Sequence, residues 1–299
     1  MKVTKQFARV LGLATMTALA VGLAAPAQAS PVPPKPSSAL LGTWVNTDSS
    51  THSVKKVIVT PNAAGSVSVD AFGACTPTLC EWGSVPAIVY GTNVSSTTGA
   101  TFQSNQRFLS GSTEWSRTTL FGNVTNTSVG LRLTLRELTV FEDGSGRKNY
   151  KVTETFKLGE PSKPSIAGHP VATYRRGAPP ALVAAALGTW SNVAPSGALV
   201  KVKISGTTLN PVVQAFGQCS PTACNWGQVN GITYGASISS TRGTTVLTPY
   251  RFGFKNSQLV ITYSVTSTKV EKLTIFEYSE FTDGSGRSNY TKTETFVRA

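Results

Sequence analysis

Along most of the chain, apolar and polar residues alternate singly rather than recurring every three or four positions. Leu131-Arg132-Leu133-Thr134-Leu135-Arg136, Val200-Lys201-Val202-Lys203-Ile204 and Ser66-Val67-Ser68-Val69-Asp70-Ala71 each put every second side chain on one face. That is the period of a strand with one buried side. Short β-branched segments between Asn, Gly, Ser and Thr turns fill the intervals. Helical periodicity is confined to the N-terminus, with one further turn expected near Leu182–Ala186. The pattern predicts an all-β, antiparallel protein. Short strands must close on themselves or stack to hide their edges, so a small barrel is the first expectation and a sandwich the second.

The pattern also repeats. Leu41-Gly42-Thr43-Trp44-Val45-Asn46 returns as Leu187-Gly188-Thr189-Trp190-Ser191-Asn192. The block from Ala71 to Gly83 returns at 215–227 with nine of thirteen residues identical, and Asp143 to Phe156 returns at 283–296 with eleven of fourteen. Three blocks in the same order mark a tandem duplication. The expected boundaries are a leader at 30–38, one β-barrel repeat at 39–158, a Pro-rich linker at 159–182 and a second repeat at 183–299. Pro161, Pro164, Pro170, Pro179 and Pro180 make the linker an extended spacer, on which the two domains are expected to move with some independence.

Residues 1–29 carry the pattern of a bacterial export signal: Lys2, Lys5 and Arg9, an apolar stretch from Val10 to Ala25, then Ala27-Gln28-Ala29 before a cut at Ser30. No later apolar run is long enough to span a membrane. The chain has 299 residues, 9% of them aromatic, with Gly 27 and Pro 17, which excludes a disordered or collagen-like chain. Without the signal, 24 basic and 14 acidic side chains leave a net charge of +10. The charges are scattered, as in Lys55-Lys56 and Arg175-Arg176, so a solvated basic surface is favoured over a specific nucleic-acid site. The expected location is extracellular.

Gly42-Thr43-Trp44 and Gly188-Thr189-Trp190 resemble the G-x-W on the first strand of the calycin barrels, the lipocalin and avidin group. Glu154-Thr155-Phe156-Lys157 and Glu294-Thr295-Phe296-Val297-Arg298 look like the final strand of those barrels. The resemblance covers the two ends of each repeat. It implies an eight-stranded meander with a ligand cavity at one mouth and a basic side chain packed over the Trp. No binding residue is carried over from it.

Cys75/Cys80 and Cys219/Cys224 form two C-x4-C units, which in an exported chain favour one disulfide per repeat over a metal site. Trp82 and Trp226, in Cys-x-Trp-Gly, suit either sugar stacking or packing over the disulfide. Asp143-Gly144-Ser145-Gly146 and Asp283-Gly284-Ser285-Gly286 read as tight turns. A turn does not require Arg147, Asn149 and Tyr150, repeated as Arg287, Asn289 and Tyr290. They either brace the barrel end or form a polar contact surface. Trp115 has no evident counterpart and is expected at the surface. His52 is unrepeated and His169 lies in the linker, so His-based catalysis is disfavoured.

The leading expectation is therefore a secreted, non-catalytic binding protein with two β modules and no cofactor or metal. Its partner would be an extracellular polysaccharide, an envelope component or a protein. One alternative is a protease inhibitor acting through the Cys75–Cys80 and Cys219–Cys224 loops. Another is a small hydrolase using Asp143 with Glu154, and Asp283 with Glu294.

Overall fold

A computed structural model describes residues 33–159, 166–167, 179–194 and 198–299. The export segment 1–29, residues 30–32 of the leader, and most of the linker with His169 lie outside the described residues. The fold is all-β and contains a closed eight-stranded antiparallel barrel. Its strands are β1 (Gly42–Asn46), β2 (Val54–Pro61), β3 (Val67–Gly73), β4 (Cys80–Tyr90), β5 (Thr101–Ser110), β6 (Thr113–Thr127), β7 (Gly130–Phe141) and β8 (Tyr150–Leu158). Each pairs with the next. β8 returns to β1, with Phe156 opposite Asn46 and Leu158 opposite Trp44.

The C-terminal half repeats this order of neighbours. It comprises β9 (Gly188–Asn192), β10 (Leu199–Gly206), β11 (Pro211–Gly217), β12 (Cys224–Asn230), β13 (Ile232–Gly235), β14 (Arg242–Arg251), β15 (Lys255–Val265), β16 (Glu271–Phe281) and β17 (Tyr290–Arg298). β12 and β13, separated by Gly231, occupy the place of β4. β17 pairs back onto β9, with Trp190 opposite Arg298.

Alternation explains the interiors. Leu133, Leu135 and Glu137 of β7, and Leu273, Ile275 and Glu277 of β16, are buried at every second position. Trp44 and Trp190 are fully buried, each below a 3₁₀ turn, Ser38–Leu40 or Ala184–Ala186. Trp44 Nε1 donates to the Leu40 carbonyl at 3.1 Å and Trp190 Nε1 to that of Ala186 at 3.0 Å, so the large rings are buried without an orphaned donor. The Arg298 guanidinium lies 4.1 Å from the Trp190 ring centroid, and Arg298 Nη1 donates to the Leu187 carbonyl at 2.6 Å. At the corresponding place the N-terminal half has Leu158, whose methyl group lies 3.3 Å from where a Cβ on Gly42 would stand. The basic cover expected over the Trp is thus present at Trp190 and replaced by a leucine at Trp44.

The described residues do not show two bodies held apart by a spacer. Tyr90, Phe121 and Leu138 of the first half pack with Tyr234, Val260 and Tyr278 of the second in one buried cluster. Phe121 stacks on Tyr278 with centroids 4.2 Å apart, and the Arg136 guanidinium lies 3.8 Å from the Phe276 ring centroid. Lys151 Nζ donates to Thr262 Oγ1 across the contact at 3.1 Å, and burial pushes its ammonium down to about 8. The backbone contacts are reciprocal. Gly91 N–H donates to the Asn289 carbonyl and Gly235 N–H to the Asn149 carbonyl, both at 2.9 Å. Ser288 N–H donates to the Val94 carbonyl (2.9 Å) and Lys148 N–H to the Ile238 carbonyl (2.7 Å).

Replacing Tyr278, which is 2% exposed at the centre of this contact, should report directly on the docking. Tyr278→Ala is expected to lower unfolding stability by about 3 kcal/mol, and Tyr278→Phe by much less. Urea unfolding of the three proteins checks this; near-equal stability for all three would mean the halves are not packed as described.

Candidate functional site

The β3–β4 turn, the β7–β8 hairpin and the strand ends between them meet at one mouth of the N-terminal barrel, and the same elements meet in the C-terminal half. The Cys75–Cys80 and Cys219–Cys224 disulfides close the expected rings, with Cα atoms 5.5 and 5.4 Å apart. Cis peptides precede Pro77 and Pro221 inside them. The indole that follows each ring lies flat over a glycine. A Cβ on Gly73 would stand 2.7 Å from Trp82 Nε1, and one on Gly217 2.6 Å from Trp226 Nε1. Each ring rests on the barrel core and also lines a pocket.

The Asp-Gly-Ser-Gly segments are turns, as expected. Gly144, Gly146, Gly284 and Gly286 all have left-handed backbone, φ between 69° and 76°. In each turn the Asp side chain accepts from the Arg: Arg147 Nη2 to Asp143 Oδ2 at 2.5 Å, and Arg287 Nη2 to Asp283 Oδ2 at 2.6 Å. Arg Nε donates to the turn serine, Ser145 or Ser285, at 2.8 and 2.7 Å. The guanidinium is thereby fixed 4.1 Å from the ring centroid of Phe141, and likewise of Phe281.

Two pockets result. The N-terminal one, about 280 Å³, has an aromatic wall of Trp82, Phe108 and Trp115, with Arg147, Tyr150 and the hydroxyls of Ser53, Ser116, Thr118 and Thr139 around it. Trp82 meets Phe108 edge-on at 5.2 Å, and Phe108 meets Trp115 at 5.4 Å. The C-terminal one, about 690 Å³, is walled by Trp226, Phe252 and Phe254 and lined by Lys255, Arg287, Tyr290 and Lys292. Trp226 and Phe252 lie 5.3 Å apart, and Phe252 and Phe254 5.7 Å. Each pocket borrows a wall residue from the opposite half: Ile238 enters the first and Val94 the second.

Of the sequence candidates, Trp82, Arg147, Tyr150 and the Cys75–Cys80 disulfide meet in one pocket, and Trp226, Arg287, Tyr290 and Cys219–Cys224 in the other. Asn149 and Asn289 do different work. They are buried, and their Oδ1 atoms accept from the Phe141 (3.3 Å) and Phe281 (3.0 Å) N–H groups, bracing the hairpins. Trp115 does have a counterpart. Ser116 lies opposite Phe141 and Lys255 opposite Phe281, so Trp115 and Phe254 hold equivalent positions. Phe108, Phe254 and Lys255 had no repeated-block signal to mark them. Exposed His52 stands at the rim of the first pocket.

The carboxylates fall into separate networks. Asp143 and Asp283 hold their arginines, whereas Glu154 accepts from the Thr51 hydroxyl and faces Glu137 of β7. Glu137 is fully buried and accepts from Ser53; burial and the shared hydrogen bond with Glu154 push its carboxyl well above the usual range. In the second half, Glu277 accepts instead from Lys255 Nζ (3.4 Å) and the Tyr290 hydroxyl (2.9 Å), and Glu294 accepts the Ala198 (2.7 Å) and Leu199 (3.2 Å) N–H groups. A second acid pair, Asp70 with Glu81, flanks the first disulfide. Burial, with Glu81 beside it, pushes Asp70 up to about 6. The amides Gln214 and Asn225 hold those positions in the second half, 3.1 Å apart. Among the described residues no group of three or more His, Cys, Asp or Glu could hold a metal ion, and no helix is long and apolar enough to cross a membrane. Comparison with known protein families, characterised proteins and solved structures finds no match.

The acid pairs set a pH dependence of definite sign. Because the folded pKa of Asp70 is raised, its contribution to stability is whole below about pH 4 and is lost as pH rises through about 6; Glu137 acts in the same direction. Asp70→Gln with Glu81→Asn installs the amides of the second half. This variant should melt at a higher temperature than the parent at pH 7.5, the two converging at pH 4. Melting temperatures across that range test it, and a variant less stable at pH 7.5 would refute it.

Proposed function

We propose that this is an exported, non-catalytic binding protein made of two homologous β-barrel modules, each holding a sugar ring of an extracellular or envelope polysaccharide at its mouth. The observation that carries the reading is the same constellation built twice: an aromatic wall, a guanidinium fixed by its turn, and a tyrosine, around a disulfide-bounded rim. Aromatic faces take the apolar faces of pyranose rings, while Arg donates to ring hydroxyls and a tyrosine oxygen accepts from them. Held rings and a clamped guanidinium lose little freedom on binding. Two mouths on one chain give the second contact a high effective concentration. Exposed disulfides suit an oxidising compartment outside the cell.

A protease-inhibitor reading draws on one feature: the segment from Gln218 to Asn225, which includes the second ring, is exposed throughout. An exposed loop with covalently joined ends is what an inhibitor presents. That reading explains neither the aromatic walls nor the clamped arginines.

The rim rings test the sugar reading with least damage to the fold, since Phe254 is 42% exposed and Trp115 only partly buried. The chain from Ser30 onward should be retained on insoluble polysaccharides or envelope preparations at low and high salt. Trp115→Ala with Phe254→Ala should weaken retention by about tenfold or more, as loss of ring contacts worth 1–2 kcal/mol per site would, with little change in melting temperature. Retention by the double variant equal to that of the parent would sink the sugar reading, and inhibition of a protease panel would then favour the loops.

A further inference from the structure

The two mouths are built on one plan but differ in charge, and the differences share one sign. Lys255 stands where the first half has Ser116, as the pairing opposite Phe281 and Phe141 shows. Lys292 of β17 takes the place of Val152 in β8, two residues after the equivalent Tyr290 and Tyr150. Asn225, beside Trp226, takes the place of Glu81 beside Trp82. Lys255, Lys292 and Asn225 all line the C-terminal pocket. Relative to the N-terminal half, two cations are gained at the C-terminal pocket.

The interior acids recur, Glu137 with Glu154 and Glu277 with Glu294, but their partners differ. Lys255 Nζ lies 3.4 Å from Glu277 and Lys292 Nζ 3.8 Å from Glu294, whereas Glu137 accepts from Ser53 and shares a hydrogen bond with Glu154. These acids stand behind the lysines: the residues lining the C-terminal pocket include three cations, Lys255, Arg287 and Lys292, and no carboxylate. Lys255 is only 8% exposed, a costly place for an ammonium. It is held 4.5 Å from the Trp226 ring centroid and 3.4 Å from both Glu277 and Ser279. Three cations on one pocket wall, with no carboxylate among the lining residues, point to a ligand that brings a negative charge.

We infer that the C-terminal mouth selects an acidic sugar, a uronic acid whose ring lies on the Trp226–Phe254 wall and whose carboxylate meets Lys255 and Lys292, whereas the N-terminal mouth takes a neutral sugar. The inference rests on the sugar-binding reading and adds the ligand class of each site. An ammonium–carboxylate contact in a partly desolvated pocket separates an acid from its uncharged ester by about tenfold.

The test uses the full exported chain with Trp115→Ala, so that the C-terminal mouth dominates. Oligogalacturonate and its methyl ester, which keeps the ring and removes the charge, are titrated by calorimetry. The acid should bind about tenfold more tightly than the ester, and Lys255→Ser with Lys292→Val should bring the acid to the level of the ester. Lys255→Ser leaves Glu277 with the Ser279 and Tyr290 hydroxyls as partners, and a melting curve checks folding. Should the lysine variant not fold, the acid–ester comparison on the Trp115→Ala chain decides alone. Equal affinity of acid and ester overturns the inference while leaving sugar binding standing. Binding of neither form overturns both.

Discussion

Everything else in either half depends on the pairing of its last strand with its first. An open sheet of seven or eight short strands would leave two rows of unpaired backbone groups. Returning β8 to β1 and β17 to β9 removes both edges and fixes which residues face inward. Trp44 and Trp190 sit on those closing strands, fully buried and with their indole nitrogens bonded, and they plug the closed end. The opposite end is thereby left as the mouth, where the disulfide rings and the Asp-Gly-Ser-Gly hairpins meet.

At that mouth, rigidity comes from short-range chemistry. Two left-handed glycines permit the turn, its aspartate and serine hold the arginine, and the arginine lies over a phenylalanine that the hairpin asparagine braces. The disulfide limits the facing loop, and a glycine on β3 or β11 gives the indole a flat seat. The arginines are thus held in place by the protein's own turns.

Much of this could be read in the sequence, because the repeated blocks coincide with the mouth. The Cys-x-Trp-Gly and Asp-Gly-Ser-Gly-Arg segments are where the two copies agree, and they converge in space. The walls were harder to see. Phe108 and Trp115 lie on β5 and β6, and Phe252 and Phe254 in the turn between β14 and β15, where the copies have diverged and no repeated block marks them. The docking of the halves is harder to read for a related reason. Alternation implies one buried face, yet Ala87-Ile88-Val89-Tyr90, Leu120-Phe121 and Leu138-Thr139-Val140-Phe141 carry apolar residues on both faces, which is the mark of strands covered on two sides. For Asn149 and Asn289 the sequence leaves a brace and a ligand contact open, since both leave the same imprint on a repeat; the structure shows their side chains holding the hairpins.

The reciprocal contact between the halves has an implication for ancestry. When residue pairs recur with their roles exchanged, Gly91 to Asn289 and Gly235 to Asn149, the contact has the form of a two-fold dimer of a single module. In such a dimer, one gene would specify both copies, and any change at one mouth would appear at the other. Joining the copies in one chain lifts that constraint. Lysine could then enter one mouth and a serine stay in the other, each still walled by its sister's loop, and a symmetric ancestor could become a molecule with two distinct faces.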